Sequence, residues 1–204
     1  MSSRGRPRTF DRDTVLRKAL DVFWEQGYEG TSMADLTKAM GVASASIYAC
    51  FGSKEQLFQE TVALYGTIAG ESPRRALREQ PTAQAAIEAM LRATADAVTL
   101  PDSPPGCMLI LAAPTGAVEN TRVRAFLADL RRDMFNLIRA RLERGVTDGD
   151  LIAPTTGLDA IARYYTTIVQ GLSVQARDGA SRAELQATIT CAMAAWPTLA
   201  STNR

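Results

Sequence analysis

Residues 31–58 read TSMADLTKAMGVASASIYACFGSKEQLF, and two glycines divide this stretch into three short helical segments. Thr31 and Ser32 supply a cap region, Met33, Leu36 and Met40 recur every three to four residues, and Gly41 follows where the chain must reverse without a Cβ clash. A further helix is expected at about residues 44–51, with Val42 and Ile47 turned inward onto Leu36, Phe23 and Phe51. That leaves Ser44, Ala45, Ser46, Tyr48 and Ala49 facing outward. Ser53, with Gln56 three residues on, reads as a capping box for a helix through about Ala69. A short helix, a tight turn and a second short helix with small polar residues outward are the makings of a helix-turn-helix.

Upstream, residues 11–26 predict a helix capped by Asp11 or Asp13, carrying Val15, Ala19, Val22 and Phe23 on one face and stopped by Gly27. Ahead of it, Arg4, Arg6 and Arg8 occur without an acidic residue among the first ten positions. Downstream, residues 73–81 are polar and basic and read as a connection. A helix at about 82–98 follows, bearing Ile87, Leu91 and Val98. Pro101, Pro104, Pro105 and Gly106 then break the pattern, and the apolar run from Cys107 to Ala113 implies burial. A long helix at about 120–144 presents Val123, Leu127, Leu130, Met134 and Leu137 as one stripe, with Gly145 and Gly149 expected to close it. Two more helices are expected at about 157–177 and 182–196. No segment alternates with period two and nothing repeats at a fixed interval, so the fold class is all-α.

Composition excludes several functions. Of 204 residues, 46% are apolar and 22% charged, which predicts a packed core and not a disordered chain. The net charge of +1 argues against indiscriminate nucleic-acid coating, although a local basic patch can hide in a neutral total. Cys50, Cys107 and Cys191 form no C-x-x-C pair, which fits neither a disulfide framework nor a zinc site. No leader-like or membrane-spanning apolar run is read, so a cytoplasmic protein without a membrane partner is expected. The chain has no histidine, which removes the commonest general base and metal ligand, and no glycine-rich phosphate cradle occurs. The expectation is a protein that is not an enzyme and holds neither cofactor nor metal.

The stretch resembles the N-terminal signature of the TetR family of transcriptional regulators. The match runs through Thr31-Ser32-Met33-Ala34-Asp35-Leu36, Gly41-Val42, Ile47-Tyr48 and Phe51 to Phe58, after a helix ending Phe23-Trp24-Glu25-Gln26-Gly27-Tyr28. The resemblance covers roughly residues 10–60; beyond that only the helix pattern is similar. It implies a three-helix DNA-binding domain at 1–54 and a helical ligand-binding and dimerisation domain at 55–204. Residues 44–49 would lie in the major groove. Ser44 and Ser46 would sit near bases or phosphates, Ala45 among the small outward side chains, and Tyr48 would donate to a phosphate. Small side chains leave part of the readout to thymine methyls and DNA shape. Thr31 and Lys54 stand at helix starts that favour phosphate. Arg4-Gly5-Arg6-Pro7-Arg8 resembles the core of AT-hook peptides, which enter an A/T minor groove. Thr37, Ala43 and Cys50 depart from the usual alanine, serine and histidine, and Ser44 is expected to take over the cap that Ala43 cannot supply.

For the body, the resemblance implies a homodimer on a palindromic double-stranded DNA operator, released by a small apolar or aromatic effector. Ile168, Val169, Leu172, Leu185, Ile189, Ala192, Met193 and Trp196 are the expected dimer surface, with Gly171, Ala187, Ala194 and Ala195 allowing close approach. The expected pocket residues are Met90, Cys107, Met108 and Leu111, then Phe126 and Met134, then Tyr164, Tyr165 and Gln170, because flexible methionines and amphipathic tyrosines suit an adaptable site. The alternatives are a helical small-molecule-binding protein and a regulator that senses redox state through Cys50 or Cys107.

Overall fold

The computed structural model describes residues 10–113 and 120–200, and among them it contains eleven helices and no strand. The first, α1 (Arg12–Gly30), is capped by Asp11, whose side chain accepts from the Asp13 amide, and it buries Val15, Leu16, Ala19, Leu20, Phe23 and Trp24. Gly27 does not end this helix, as expected, but kinks it at φ 72° and ψ 174°. A Cβ there would stand 2.8 Å from the Ala112 carbonyl oxygen, and the same oxygen accepts from the next amide, Tyr28, at 3.0 Å. The kink is therefore a docking point as well as a bend.

Next, α2 (Met33–Met40) opens on a capping box between Ser32 and Asp35 and closes on Gly41 in the left-handed region at φ 72°. The recognition-type helix α3 (Ser44–Phe51) has Ala43 as its cap with no side-chain bond, so Ser44 lies inside the helix and does not replace the missing cap. Ser53 accepts from the Gln56 amide and opens α4 (Lys54–Ile68).

The basic stretch expected to be a connection is instead α5 (Glu71–Glu79). Its proline stands in the first turn, where a missing amide proton breaks no helical bond, and Pro73 and Leu77 are buried against the rest of the protein. Four charged residues hid a two-residue apolar anchor. Thr82 caps α6 (Ala83–Val98), and a single turn, α7 (Met108–Leu111), follows the proline-rich loop.

The long α8 (Thr121–Asp148) runs through Gly145 and stops at Gly149. Gly145 is inside because a Cβ would come 2.8 Å from that of Ala83. The expected stripe follows α8 only in part: Val123 and Leu127 are buried, but Leu137 is 41% exposed and Ile138 and Leu142 are inside. A straight helix repeats every 3.6 residues, so a stripe drawn at 3.5 drifts off the core within two heptads. The last helices are α9 (Leu158–Arg177), α10 (Arg182–Ala194) and the short α11 (Trp196–Leu199).

Two apolar cores result. One joins α1 to α4 with Met108, Ala112, Val123 and Leu127, and its centre is aromatic: Phe58 meets Phe23 and Tyr28 edge-on, each at 5.1 Å between ring centres. The other gathers Leu77, α6, the distal half of α8, α9, α10 and Trp196. Val169, Leu172, Leu185, Ile189, Met193 and Trp196, expected at a dimer surface, are buried inside the protomer in this second core, with Ile168 half-buried against it, and Ala192 is buried as well. Their burial follows from α10 packing on both α6 and α9, which uses its apolar face within the chain.

The Tyr165 hydroxyl lies in the second core without a hydrogen-bond partner. An orphaned buried hydroxyl carries an uncompensated desolvation cost. Tyr165→Phe is expected to leave the unfolding free energy unchanged or raise it by about 1 kcal/mol, whereas Tyr165→Ala should lower it by about 3–5 kcal/mol through the void it leaves. Urea unfolding followed by circular dichroism measures both, and a large loss in Tyr165→Phe would contradict the orphaned hydroxyl.

Candidate functional site

The outer face of α3 is built by what α3 hides. Ile47 and Phe51 are buried in the core that α3 shares with α1, α2 and α4, and this anchoring turns Ser44, Ala45 and Ala49 outward with Tyr48, which is 47% exposed. Ser46 is half-buried at the edge of the same face. Because Ala43 makes no side-chain cap bond, the first turn of α3 keeps amide groups open to an anion, and no acidic residue stands in that turn. The helix is held from behind by Arg12, whose guanidinium lies 4.7 Å from the centre of the Phe51 ring and pairs with Glu60 at 2.6 Å. The bond to Glu60 holds that arginine's pKa above its ordinary value. Arg12 drew no attention in the sequence because neither partner is its neighbour in the chain.

Two expected phosphate contacts are used internally. Thr31 is buried, and its hydroxyl donates to the Gly27 carbonyl at 2.7 Å, bracing the kink; Ser32 is the residue that caps α2. Lys54 donates to the Tyr28 carbonyl at 2.7 Å and lies 4.3 Å from the centre of the Tyr28 ring. Partial burial pushes its pKa down, with Glu29 and Asp35 acting against that shift. Both residues thus shape the head from within. Arg4, Arg6 and Arg8 lie outside the described residues.

In the body, a cavity of about 610 Å³ opens between α5, α7, α8 and α9. Three expected residues line it, Cys107, Met134 and Gln170, joined by Leu109, Ile110, Leu130, Arg131, Leu137 and Thr166, which were not among the expected pocket residues. Met90, Met108 and Tyr165 are instead fully buried core residues, and Tyr164 stacks edge-on against Tyr165 at 5.0 Å. Leu111 is half-buried beside Gly106, and Phe126 borders a groove with Val62, Thr67 and Leu130 that adjoins the cavity at Arg74, Leu109 and Leu130. Periodicity marks which residues are apolar, but it cannot separate those that fill space from those that leave it empty.

Cys107 stands where both cores meet. Its amide donates to the Ser173 hydroxyl at 2.7 Å, and its thiol lies beside the Tyr65 hydroxyl. Burial pushes the Cys107 thiol pKa up, which favours packing over a reactive thiolate. Cys191 is exposed on α10 and Cys50 is half-buried on α3. Among the described residues no group of histidine, cysteine or acidic side chains could hold a metal ion. No helix among the described residues is long and apolar enough to cross a membrane.

If the α3 face meets DNA, Tyr48→Phe should weaken binding to every duplex by about ten- to hundredfold, the value of one hydrogen bond to a charged group. Ser46→Ala should instead alter which sequences are preferred. Fluorescence anisotropy with labelled duplexes distinguishes these effects, and wild-type behaviour of both variants would count against this face. Thr31→Ala, by contrast, should cost about 1 kcal/mol of stability while the folded fraction keeps its DNA affinity. A loss of affinity at unchanged stability would return Thr31 to the interface.

Comparison with known proteins agrees with this geometry. The sequence profile for bacterial regulatory proteins, tetR family, matches residues 15–61. The chain is 34% identical over 203 residues to the HTH-type transcriptional repressor ComR of Escherichia coli (strain K12), a match that spans 97% of this chain and 94% of that protein. It is 26% identical over 189 residues to the HTH-type transcriptional repressor BdcR of the same organism, spanning 92% of this chain and 90% of that one. A solved structure of a cysteine mutant of the TetR family transcriptional regulator CifR, complexed with 26-base-pair operator DNA, superposes with a TM-score of 0.90 at 45% identity. That superposition covers 94% of this chain and all of the other.

Proposed function

The chain belongs to the TetR family of bacterial regulatory proteins and is a DNA-binding transcriptional regulator, and from that premise we propose that it acts as a homodimeric repressor released from a palindromic operator by a small, mainly apolar effector. The observation that carries the reading is the pairing of two features in one chain: an exposed, acid-free α3 face on a rigid head, and a body cavity whose walls touch the head. Residues 1–54 would read DNA, with Ser44, Ala45, Ser46 and Tyr48 toward the duplex, and residues 55–204 would receive the effector and the second subunit. A cytoplasmic location follows from that role.

One recognition helix covers half a site, so two heads are needed for useful affinity, and their spacing must match a turn of the duplex, about 34–36 Å or a multiple. With the apolar faces of α9 and α10 spent inside the protomer, their outward faces are the surface left for pairing. Gly171, Val174, Ala187, Cys191 and Ala194 lie exposed there. Four of these are small, which allows helices of two subunits to approach closely.

An effector can relieve repression only if it binds the DNA-incompatible geometry more tightly than the DNA-bound one. The cavity is placed for that. Its wall at Cys107 and Ile110 belongs to the α7 segment, and that segment bonds α1 through Gly106 and Ala112.

Selection of bound duplexes from a random pool with the purified protein should yield an inverted repeat. Gly171→Arg and Ala187→Arg should convert the protein to a folded monomer, seen by sedimentation, and lower affinity for that repeat by about 100-fold or more as the second contact becomes intermolecular. Recovery of a non-repeating site, or full affinity in a monomeric variant, would sink the dimeric reading.

A further inference from the structure

We infer that the effector of the proposed regulator is an amphipathic carboxylate, its apolar body in the main cavity and its charge in a cleft of four arginines between α5 and α8. This rests on the effector-released reading above and specifies the ligand that it leaves open.

The cleft, about 280 Å³, is lined by Arg74 and Arg78 of α5, Arg141 and Arg144 of α8, and the apolar Leu77, Leu137 and Ala140. Arg74, Leu137 and Ala140 also line the main cavity, so the two spaces adjoin at these side chains. A ligand lying across them would place its chain or ring among Leu109, Ile110, Leu130, Met134 and Val169 and its head among guanidiniums.

Only one of the four cations has a carboxylate at hydrogen-bond distance. Arg78 pairs with Glu71 at 2.8 Å. Arg144 stands 3.9 Å from Asp148, and Arg141 stands 3.8 Å from Asp150, whose same carboxylate already accepts from the Ala83 amide. Arg74 has one bond, to the Gly66 carbonyl at 3.2 Å. Arg75 also lies near Glu71, so the cations around the cleft outnumber its carboxylates, which suits an anion.

Arg141 is the strongest sign of a missing acceptor. Its side chain is 3% exposed, one terminal nitrogen reaches the Gln80 carbonyl at 3.3 Å, and its Nε and the other terminal nitrogen have no partner. Burial, and then the charge of Arg144, lower its pKa, the direction expected of a cation short of counter-charge. Leaving such donors unpaired costs free energy that an oxygen acceptor would recover. Guanidiniums also suit planar, two-oxygen acceptors better than any other cationic side chain.

Arg74 links the cleft to the DNA-reading head. Its guanidinium closes the end of α4, and Gly66 and Gly70 leave it room: a Cβ at Gly70 would be 2.9 Å from the nearest guanidinium nitrogen. A carboxylate that recruits Arg74 competes with the Gly66 carbonyl for the same donor. The effector's charge thereby acts on the helix that carries Leu57 and Phe58 into the head's core.

The test compares decanoate with decanol, matched in chain and differing in charge, and uses acetate as a head without a body. Calorimetric titration of the full-length protein should show decanoate binding at least about tenfold tighter than decanol, and acetate not binding in the same range. Arg144→Gln and Arg78→Gln, at residues that line the cleft and not the main cavity, should each bring the two probes to within about twofold while leaving decanol affinity unchanged, which also shows that the variants fold. Equal affinity for both probes, binding of neither, or an undiminished preference in both variants would overturn the inference. Anisotropy on the selected operator, run in parallel, separates it from the broader reading. Decanoate that binds with charge preference but leaves DNA bound contradicts release while upholding the ligand class. Decanol that binds equally well and releases DNA does the reverse.

Discussion

Everything in this molecule hangs on how α1 meets the turn at residues 106–112. The indole of Trp24 donates to the Gly106 carbonyl at 2.9 Å, the Tyr28 amide donates to the Ala112 carbonyl at 3.0 Å, and Arg177 reaches across from α9 to the Trp24 and Glu25 carbonyls. These bonds join the end of one helix to a four-residue helix that also walls the body cavity. Backbone groups left bare by the kink at Gly27 and by the shortness of α7 need partners, and each supplies them to the other. A head held by side-chain packing alone could slip; one held through main-chain groups follows the body.

Charge follows the same division of labour. Cations on the head, Arg12 and Lys54, sit over aromatic rings and bind internal acceptors, which stiffens the surface that presents α3. At the α5–α8 cleft four are crowded together, and all but Arg78 lack a carboxylate at hydrogen-bond distance. Positive charge in the first setting is already satisfied, and in the second it is held in reserve. A net charge of +1 for the whole chain conceals both.

Local chemistry was legible in the sequence. Asp11, Ser32 and Ser53 cap helices because short side-chain oxygens reach the amides two or three residues on. Gly41 and Gly149 end helices through positive φ, and the resemblance in residues 10–60 placed the α2–α3 unit and its outward face. What failed depended on neighbours distant in the chain. Pro73 and Leu77 form a helix because a groove receives them, Gly145 stays helical because Ala83 comes close, and Thr31 is spent on Gly27. The residues expected to pair are apolar, but which side of α10 faces α6 and α9 is a fact of topology. The arginine cleft went unseen because half of it lay in the stretch read as a connection.

One rod crosses both cores. The 28 residues of α8 make a stiff element about 42 Å long, with Val123 and Leu127 locked into the head's packing and Ile138 and Leu142 into the body's. Between those grips, Leu130, Met134 and Leu137 line open space. Anything filling that space presses on the rod near its midpoint, and a tilt of about 5° carries an end through about 2 Å when the pivot is central and about 4 Å when it is at the far end. Ångström-scale expansion of a cavity is thus geared up, without any hinge, to the scale on which groove contacts are made or lost.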